Sequence, residues 1–256
     1  MNKKDLEKNE KISTILINGG LSHLGRCLIS KFLESNSNIL FTARDQEKID
    51  FYEKDFKQSG NLKGLKVSSY SYADYRKLID SMNTLGIFPN TIINCVGLSR
   101  GYNGELFDLR KSFEVNLASA VELVEAFQEE PESNLYLRMI LIGSIASRNG
   151  QADLNYSITK AALDAYIKFK ARELAKQNSK INLIGVSLGP INFIGKGMNK
   201  FSLADPSGFI SYLEANRIYL QRAADPAEIA EILNFLTFSA PNYMSGSILE
   251  LFGGGG

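Results

Sequence analysis

Short apolar runs rich in β-branched residues alternate with segments of helical periodicity along most of the chain. A strand buried on both faces has a continuous apolar sequence, whereas an amphipathic helix repeats its apolar positions every three or four residues. Regular alternation of the two is typical of βαβ units, which build a parallel sheet with helices on both faces. Strands are predicted at residues 14–17, 39–42, 66–70, 91–96, 138–143, 182–188 and 247–251.

Helices are predicted between these strands, and they complete a single α/β domain with a doubly wound parallel sheet. In the last of them Asp225 can cap the helix and Pro226 takes the first helical position, where the missing N–H costs nothing. Residues 190–222 show weaker periodicity, and we expect an insertion over the sheet edge that acts as a substrate lid. The helical segments are residues 24–35, 45–58, 75–85, 106–128, 154–177 and 226–238.

The composition argues against several classes of function. The 256 residues carry a formal net charge of +1, which gives no electrostatic reason to expect nucleic acid or an anionic membrane as a partner. His23 is the single histidine and no Cys-x-x-Cys is present, so we expect no metal site. Cys27 and Cys95 fall in a predicted helix and strand, as buried free thiols do. Residues 1–11 lack the apolar core of a signal peptide and no apolar run is long enough for a bilayer, so we expect a cytoplasmic protein.

Three residues in the middle of the chain suggest a chemistry. Tyr156 and Lys160 share one face of a predicted helix, so the ammonium is expected to favour the phenolate and to lower the pKa of the tyrosine. Ser144 directly follows an apolar run and should emerge at the carboxyl end of a buried strand, where open α/β sheets bind ligands. A tyrosine and lysine at this spacing also occur on solvated helix faces. Together the three residues predict a site that binds a carbonyl oxygen and exchanges a proton with it.

The turn after the first strand predicts a nucleotide site. Residues 18–25 read Asn-Gly-Gly-Leu-Ser-His-Leu-Gly and lead into a helix, and this is where the pyrophosphate of a dinucleotide binds backbone amides. A generic strand-to-helix turn is the alternative. The expected cofactor contacts in the turn are Gly19, Leu21, Ser22, His23 and Leu24.

The end of the second strand indicates which dinucleotide binds. An acidic residue there would bind the ribose 2′-hydroxyl, but Ala43 takes that place and Arg44 follows it. A guanidinium can pair with a 2′-phosphate, so we expect NADP(H) to be preferred over NAD(H). A solvated arginine at the start of a helix is the alternative.

With these motifs in place, residues 12–254 resemble a short-chain dehydrogenase/reductase of the single-domain type, which implies a Rossmann-like fold. Asn94-Cys95-Val96-Gly97 is similar to the family's Asn-Asn-Ala-Gly motif, and Val115-Asn116-Leu117 to the helix that carries its catalytic asparagine. Residues 186–191 resemble the loop that holds the nicotinamide. The resemblance adds Asn94, Val96, Gly97, Tyr156, Lys160, Gly189, Pro190 and Ile191 to the expected cofactor contacts.

The resemblance also implies roles for four residues. Tyr156 would be the acid/base, Lys160 would lower its pKa and hold the nicotinamide ribose, Ser144 would hydrogen-bond the carbonyl and Asn116 would position water. The implied activity is NADP(H)-dependent reduction of a ketone on a small metabolite, or oxidation of the alcohol. A 3-oxoacyl thioester and a phosphorylated or nucleotide-linked sugar both remain open as substrates. A non-catalytic nucleotide-binding or regulatory protein of the same fold is the alternative, and the presence of all four residues argues against it.

The predicted helices at residues 106–128 and 154–177 carry more apolar residues than we expect one sheet face to cover. In relatives these helices pair across a two-fold axis, so the resemblance implies a homodimer or homotetramer. Internal packing of the extra side chains is the alternative. The residues concerned are Leu109, Phe113, Val124, Phe127, Tyr166, Ile167, Phe169 and Leu174.

Overall fold

The computed structural model describes residues 13–56, 61–98, 106–130, 136–150 and 152–254. Within these residues the strands are β1 (Thr14–Asn18), β2 (Asn38–Ala43), β3 (Leu62–Lys66), β4 (Thr91–Asn94), β5 (Leu137–Ser144), β6 (Ile181–Leu188) and β7 (Ile248–Leu251). They form one parallel sheet in the order β3-β2-β1-β4-β5-β6-β7. The strand order reverses between β1 and β4, and in such sheets ligands bind at the carboxyl ends of the strands on either side of the reversal. The predicted doubly wound, Rossmann-like sheet is therefore confirmed.

The helices lie between the strands, as the alternating pattern predicted. They are α1 (His23–Leu33), α2 (Gln46–Asp55), α3 (Tyr72–Leu85), α4 (Leu106–Phe113), α5 (Ser119–Gln128), α6 (Ala146–Asn149), α7 (Leu154–Lys176), α8 (Gly197–Ala204), α9 (Pro206–Ala215) and α10 (Pro226–Phe238). None of the helices in the described part of the chain combines the length and the apolar run that a membrane crossing needs.

Two predicted strands differ from the structure. β3 lies at Leu62–Lys66 rather than at residues 66–70, because Tyr70 adopts left-handed backbone (φ 58°) and Ser71 caps α3. Gly64 interrupts the apolar pattern, so the sequence shows no sign of this strand. The structure requires glycine there, because a Cβ would lie 2.3 Å from Ile49 Cγ2. β4 ends at Asn94 rather than at residue 96, because the Asn94 side chain accepts a hydrogen bond from the amide two residues later and turns the chain.

The predicted helix at residues 106–128 is interrupted. A π-helical turn, Glu114–Ala118, separates α4 from α5. Such turns insert an extra residue into a helix and often occur at functional sites. The turn contains Asn116, whose buried side chain is held by the loop after β4, as described below.

The core has two layers, one on each face of the sheet. α3, α5 and α7 pack on one face, and α1, α2 and α10 pack on the other. Four of the apolar residues expected to be in excess on the long helices, Val124, Phe127, Ile167 and Leu174, belong to the first layer, so that part of the prediction is wrong. Phe169 is 60% exposed and remains outside it.

Arg138 links the amino end of β5 to the carboxyl end of α10. The side chain is 4% exposed and donates hydrogen bonds to the carbonyls of Leu236 and Ala240, the latter at 2.6 Å. It also donates to the Tyr136 hydroxyl at 2.7 Å. The last carbonyls of a helix lack hydrogen-bond donors within that helix. At the end of α10 this buried guanidinium is such a donor.

The segment between β6 and α10, where the insertion was predicted, contains α8 and α9. This segment has its own small apolar cluster, which includes Phe209 and Leu213 and is separate from both layers of the core. The two ends of the segment are joined at its base, because Ile191 and Ala224 form a parallel bridge. Beyond α9, Asn216 accepts a hydrogen bond from the Asn149 side chain on α6 at 3.0 Å, and the Leu220 amide donates to the Gly253 carbonyl at 3.0 Å, so the insertion is attached at its base and at its last residues.

Candidate active site

The turn between β1 and α1 is built around glycine. Gly19 has a φ of 78°, and its amide donates to Thr42 Oγ1 at 2.9 Å. Ser22 caps α1 by accepting a hydrogen bond from the Gly25 amide at 3.0 Å. A Cβ at position 25 would lie 2.5 Å from the Gly20 carbonyl oxygen, so α1 reaches the turn this closely only with glycine there. This is the tight strand-to-helix turn that a dinucleotide pyrophosphate requires.

A buried polar network, absent from the sequence analysis, supports this turn from below. The Asn18 amide group donates to Asn94 Oδ1 and to the Tyr75 hydroxyl, each at 2.9 Å. Thr42 Oγ1 in turn donates to Asn18 Oδ1 at 2.6 Å. The network joins the carboxyl ends of β1, β2 and β4 and so fixes the edge of the sheet at its reversal point. Asn18 and Thr42 were visible in the sequence only as polar residues ending apolar strands.

Of the predicted contacts in the turn, Leu24 is buried and His23 is exposed. The His23 ring lies 5.4 Å from the Phe193 ring, centroid to centroid, so the turn touches the loop after β6. Partial burial lowers the pKa of His23, and the positive charges of Lys196 and Arg26 lower it further. A neutral imidazole among cations leaves the region positively charged overall, which suits a phosphate-bearing ligand.

Arg44 is exposed at the end of β2, directly after buried Ala43. Its positive charge acts on the Tyr70 phenol, which therefore lies nearby. Burial raises the pKa of Tyr70 and the Arg44 guanidinium opposes that shift. Tyr70 is a bulky residue in left-handed backbone, a conformation that is rare outside turns and functional sites.

Ser144 and Tyr156 are brought together at the carboxyl end of β5. Ser144 is buried as the last residue of the strand, and its Oγ accepts a hydrogen bond from the Ala146 amide at 3.2 Å. Asp153 caps α7 by accepting from the Tyr156 amide at 3.0 Å. Burial raises the pKa of Tyr156, while a hydrogen bond with the Ser144 side chain acts in the opposite direction.

Lys160 is buried one turn further along α7, with 3% of its surface exposed. Its Nζ donates to the Ile142 carbonyl at 2.8 Å and lies 5.6 Å from the centre of the Tyr156 ring. Burial lowers the pKa of Lys160 to about 8, and the charge of Asp164 partly offsets this. The pKa of Tyr156 is therefore raised, not lowered as expected, because burial of the phenol outweighs the hydrogen bond with Ser144.

Asn116 reaches the same place from the π-helical turn. Its Oδ1 accepts from the Leu98 amide at 2.6 Å, and its Nδ2 donates to the Leu98 carbonyl at 3.0 Å and to Thr159 Oγ1 at 3.1 Å. Gly97 lies between Asn116 and Lys160, since a Cβ on it would be 3.6 Å from Asn116 Oδ1 and 3.7 Å from Lys160 Nζ. The side chain of Asn116 thus fixes the loop after β4 beside Lys160.

The loop after β6 completes the site. Gly189 donates its amide to the Leu251 carbonyl at 2.9 Å, and a Cβ at this position would lie 2.8 Å from Phe252 Cβ. Pro190 and Ile191 follow, both half-buried at the base of the insertion. The predicted residues at the ends of β4, β5 and β6 therefore converge, while Arg44 lies at the end of β2 on the other side of the β1 turn.

Comparison with known proteins agrees with this geometry. The family model described as enoyl-(acyl carrier protein) reductase matches residues 22–255. The chain belongs to the short-chain dehydrogenase/reductase family. Members of this family are NAD(P)-dependent oxidoreductases, and so is this protein. Within the described residues, no group of three or more histidine, cysteine, aspartate or glutamate side chains is arranged to hold a metal ion.

Individual relatives of this dehydrogenase/reductase are distant but align over nearly all of its length. The 3-oxoacyl-[acyl-carrier-protein] reductase FabG of Aquifex aeolicus is 23% identical over 245 residues, covering 93% of this chain and 95% of that protein. The rhamnolipids biosynthesis 3-oxoacyl-[acyl-carrier-protein] reductase of Pseudomonas aeruginosa is 25% identical over 250 residues, covering 93% and 94%.

Solved structures show the same fold. The Pseudomonas aeruginosa RhlG/NADP active-site complex has a TM-score of 0.79 at 23% identity, covering 94% of this chain and 95% of that one. A gluconate 5-dehydrogenase from Burkholderia cenocepacia, in complex with NADP and tartrate, has a TM-score of 0.81 at 21% identity and covers 94% of each chain.

Proposed function

We propose that this enzyme reduces a ketone on a small metabolite, or oxidises the corresponding alcohol, with NADP(H) as its cofactor. The observation that carries the proposal is the cluster of Ser144, Tyr156 and Lys160. Ser144 lies at the carboxyl end of β5, and Tyr156 and Lys160 lie in the first turns of α7. The loop after β4 connects this cluster to the glycine turn of β1. Carbonyl reduction needs a hydride, a proton donor and hydrogen bonds to the developing alkoxide. The last two are the properties of this cluster.

In the reductive direction Tyr156 gives a proton to the substrate oxygen. Burial raises the pKa of this phenol, so it is protonated, and thus able to donate, across the neutral range. The hydroxyl of Ser144 donates a hydrogen bond to the same oxygen and stabilises the negative charge that develops there. Lys160 holds a positive charge behind the phenol, which eases loss of its proton.

The residues of the β1 turn fit a nicotinamide dinucleotide. Gly25 has no side chain, and a Cβ at this position would touch the backbone of the turn. The turn therefore presents the amino end of α1 to an anionic group. Gly19, Leu21, Ser22, His23 and Leu24 would hold the pyrophosphate. When bound, the cofactor supplies the hydride.

Arg44 supports the choice of NADP(H) over NAD(H). It is the first residue after β2, and its exposed guanidinium can pair with a 2′-phosphate. Two of the similar structures contain NADP, as their names state. Asn94, Val96 and Gly97 would border the cofactor on the β4 side, and Gly189, Pro190 and Ile191 on the β6 side.

We propose that the insertion at residues 190–222 closes over the substrate. Phe201, Phe209 and Tyr212 pack on one another within it, with ring centroids 5.6 to 6.4 Å apart, so they stabilise the insertion instead of facing a ligand. Lys196 and Lys200 are exposed on it and can attract an anionic substrate. This charge suits the phosphate of an acyl-carrier thioester or of a sugar phosphate.

A reduction assay tests the substrate proposal. NADPH oxidation is measured at a fixed enzyme concentration with a 3-oxoacyl thioester, a phosphorylated ketose and a nucleotide-linked ketosugar. Two relatives are named as 3-oxoacyl-[acyl-carrier-protein] reductases, so the thioester is the first substrate to test. Turnover of one class identifies the substrate group. No turnover with any of the three would refute the proposed substrate classes.

We also propose that the enzyme forms a homodimer or homotetramer through α7. Leu154, Ile158 and Phe169 are 56%, 39% and 60% exposed, and they lie with Ala161 and Ala165 along one side of the helix. Small residues between large apolar ones let two helices approach closely. A monomer mass by light scattering at micromolar concentration would contradict this. The cytoplasmic location stays a prediction.

A further inference from the structure

Asp164 lies one helical turn beyond Lys160 on α7, and its carboxylate faces the end of β5. A Cβ placed on Gly143 would lie 3.3 Å from Asp164 Oδ1, so the missing side chain at that position gives the carboxylate its room. Gly143 stands between Ile142, whose carbonyl accepts the hydrogen bond of Lys160, and Ser144. The carboxylate therefore lies against the stretch of strand that carries the catalytic cluster.

Three buried oxygens around Gly143 have no hydrogen-bond partner: Asp164 Oδ1, Ser147 Oγ and Ser187 Oγ. Ser187 is the residue paired with Gly143 in the β5–β6 register. The Ser147 hydroxyl lies close enough to the carboxylate to lower its pKa, although it makes no hydrogen bond of good geometry. A buried polar atom without a partner costs about 1–3 kcal/mol, so a carboxylate kept in this position calls for a reason.

The charged groups around the carboxylate show what it acts on. Lys160 and Lys168 on α7 and Arg148 on α6 all favour its ionised form, whereas burial raises its pKa. Lys168 is exposed, and Arg148 already pairs with Glu250 at 2.7 Å. Lys160 is the buried cation of the three.

Lys160 has few groups to stabilise its charge. Its ammonium donates to a neutral carbonyl and lies beside the Tyr156 ring. The titratable groups that act on it are Asp164, which has the larger effect, and the Cys95 thiol directly after β4. A buried ammonium without a negative partner tends to lose its proton.

We propose that Asp164 is a positioning residue that keeps Lys160 protonated beneath the catalytic tyrosine. The carboxylate acts through space on the ammonium, and the space at Gly143 allows it to approach the strand end. The proposal rests on the proposed function only in assigning a catalytic consequence to the lysine charge. The charge state itself can be measured in the protein without cofactor or substrate.

The direct test is an NMR titration of lysine labelled with ¹³C at Cε, with Lys160→Arg used to assign the signal. In Asp164→Asn we expect the pKa of Lys160 to fall by roughly one pH unit, because a negative charge near a buried cation is lost. Glu173→Gln removes the same charge near the far end of α7 and should leave the Lys160 titration unchanged. An unchanged titration in Asp164→Asn would overturn the proposal.

Two further measurements separate a structural effect from the proposed one. Thermal unfolding shows whether Asp164→Asn folds, and if it does not, Asp164→Ser is titrated in the same way. Once a substrate is known, the alkaline fall in kcat/KM should shift to lower pH in Asp164→Asn and not in Glu173→Gln. A shifted titration without turnover on any ketone would leave this proposal standing and refute the proposed function. Turnover of a ketone together with an unshifted Lys160 titration would refute this proposal and leave the proposed function standing.

Discussion

Arg44→Ala should weaken binding of NADPH and leave binding of NADH nearly unchanged. Arg44 follows β2 directly, and its guanidinium is exposed beside the Tyr70 phenol. The ion pairs formed by the described residues do not include Arg44, so a 2′-phosphate would be its first strong anionic partner. The neighbouring acid, Asp45, instead caps α2 and pairs with Lys48 at 3.1 Å.

The size of the effect follows from this environment. A hydrogen bond to a charged group contributes about 1.5–3 kcal/mol, and solvent exposure places Arg44 near the lower end of that range. Because each 1.4 kcal/mol corresponds to about a tenfold change, the Kd for NADPH should rise roughly tenfold to thirtyfold. NADH has no 2′-phosphate, and its Kd should change less than about twofold.

The assay is a fluorescence titration of the protein with each cofactor in low salt. Lys48→Ala is the matched control, since it removes a positive charge four residues away that already has a partner. It should reduce the affinity for both cofactors only slightly. An equal loss for NADPH and NADH in Arg44→Ala would show that the residue does not contact the 2′-phosphate.

Three other predictions concern the fold, the turn and the pH dependence. Arg138→Met should lower the free energy of unfolding by about 3–5 kcal/mol, because it leaves the carbonyl of Leu236 in α10 and the carbonyl of Ala240 just after it buried without this donor; a melting temperature equal to that of the parent would argue against this. Gly25→Ala should raise the Kd for NADPH at least about tenfold, since the new Cβ would lie 2.5 Å from a backbone oxygen; unchanged binding would mean that the turn can relax. The kcat/KM for reduction should fall as the pH rises through about 8, where Lys160 loses its proton; a flat profile up to pH 10 would show that the lysine charge is not needed.

The central strands could be predicted because burial on both faces leaves a continuous apolar sequence. β5 and β6 are buried throughout apart from Ile142, and both were found within one residue at each end. The edge strand β3 was misplaced because it is only partly buried and contains Gly64 against the Phe41 ring. Apolar pattern carries little information at a sheet edge, where one side lacks a neighbouring strand.

The candidate site was predicted from spacing and resemblance, and the geometry brings Ser144, Tyr156 and Lys160 together. The direction of the Tyr156 pKa was not predictable, because spacing shows that a cation is near but not how deeply the phenol is buried. The π-helical turn at Asn116 was also not predictable, because the apolar pattern of residues 106–128 is that of one uninterrupted helix.

Other features of the site depend on contacts distant in sequence. The network of Asn18, Thr42 and Tyr75 joins residues from three separate segments. Asp164 looks like an ordinary charged residue on a long helix, and its role rests on the absence of a side chain at Gly143 on another element. Such relations appear only when the fold brings the segments together.

The most direct test of the account is the rate of ketone reduction by Tyr156→Phe measured beside its affinity for NADPH. The variant loses only the phenolic oxygen, so the fold and cofactor binding should be retained. We expect NADPH to bind with nearly the parent Kd while the reduction rate falls by roughly 10²–10⁴-fold, the contribution of a positioned acid. Reduction at the parent rate would contradict the assignment of Tyr156 as the proton donor, and with it the chemistry proposed for this site.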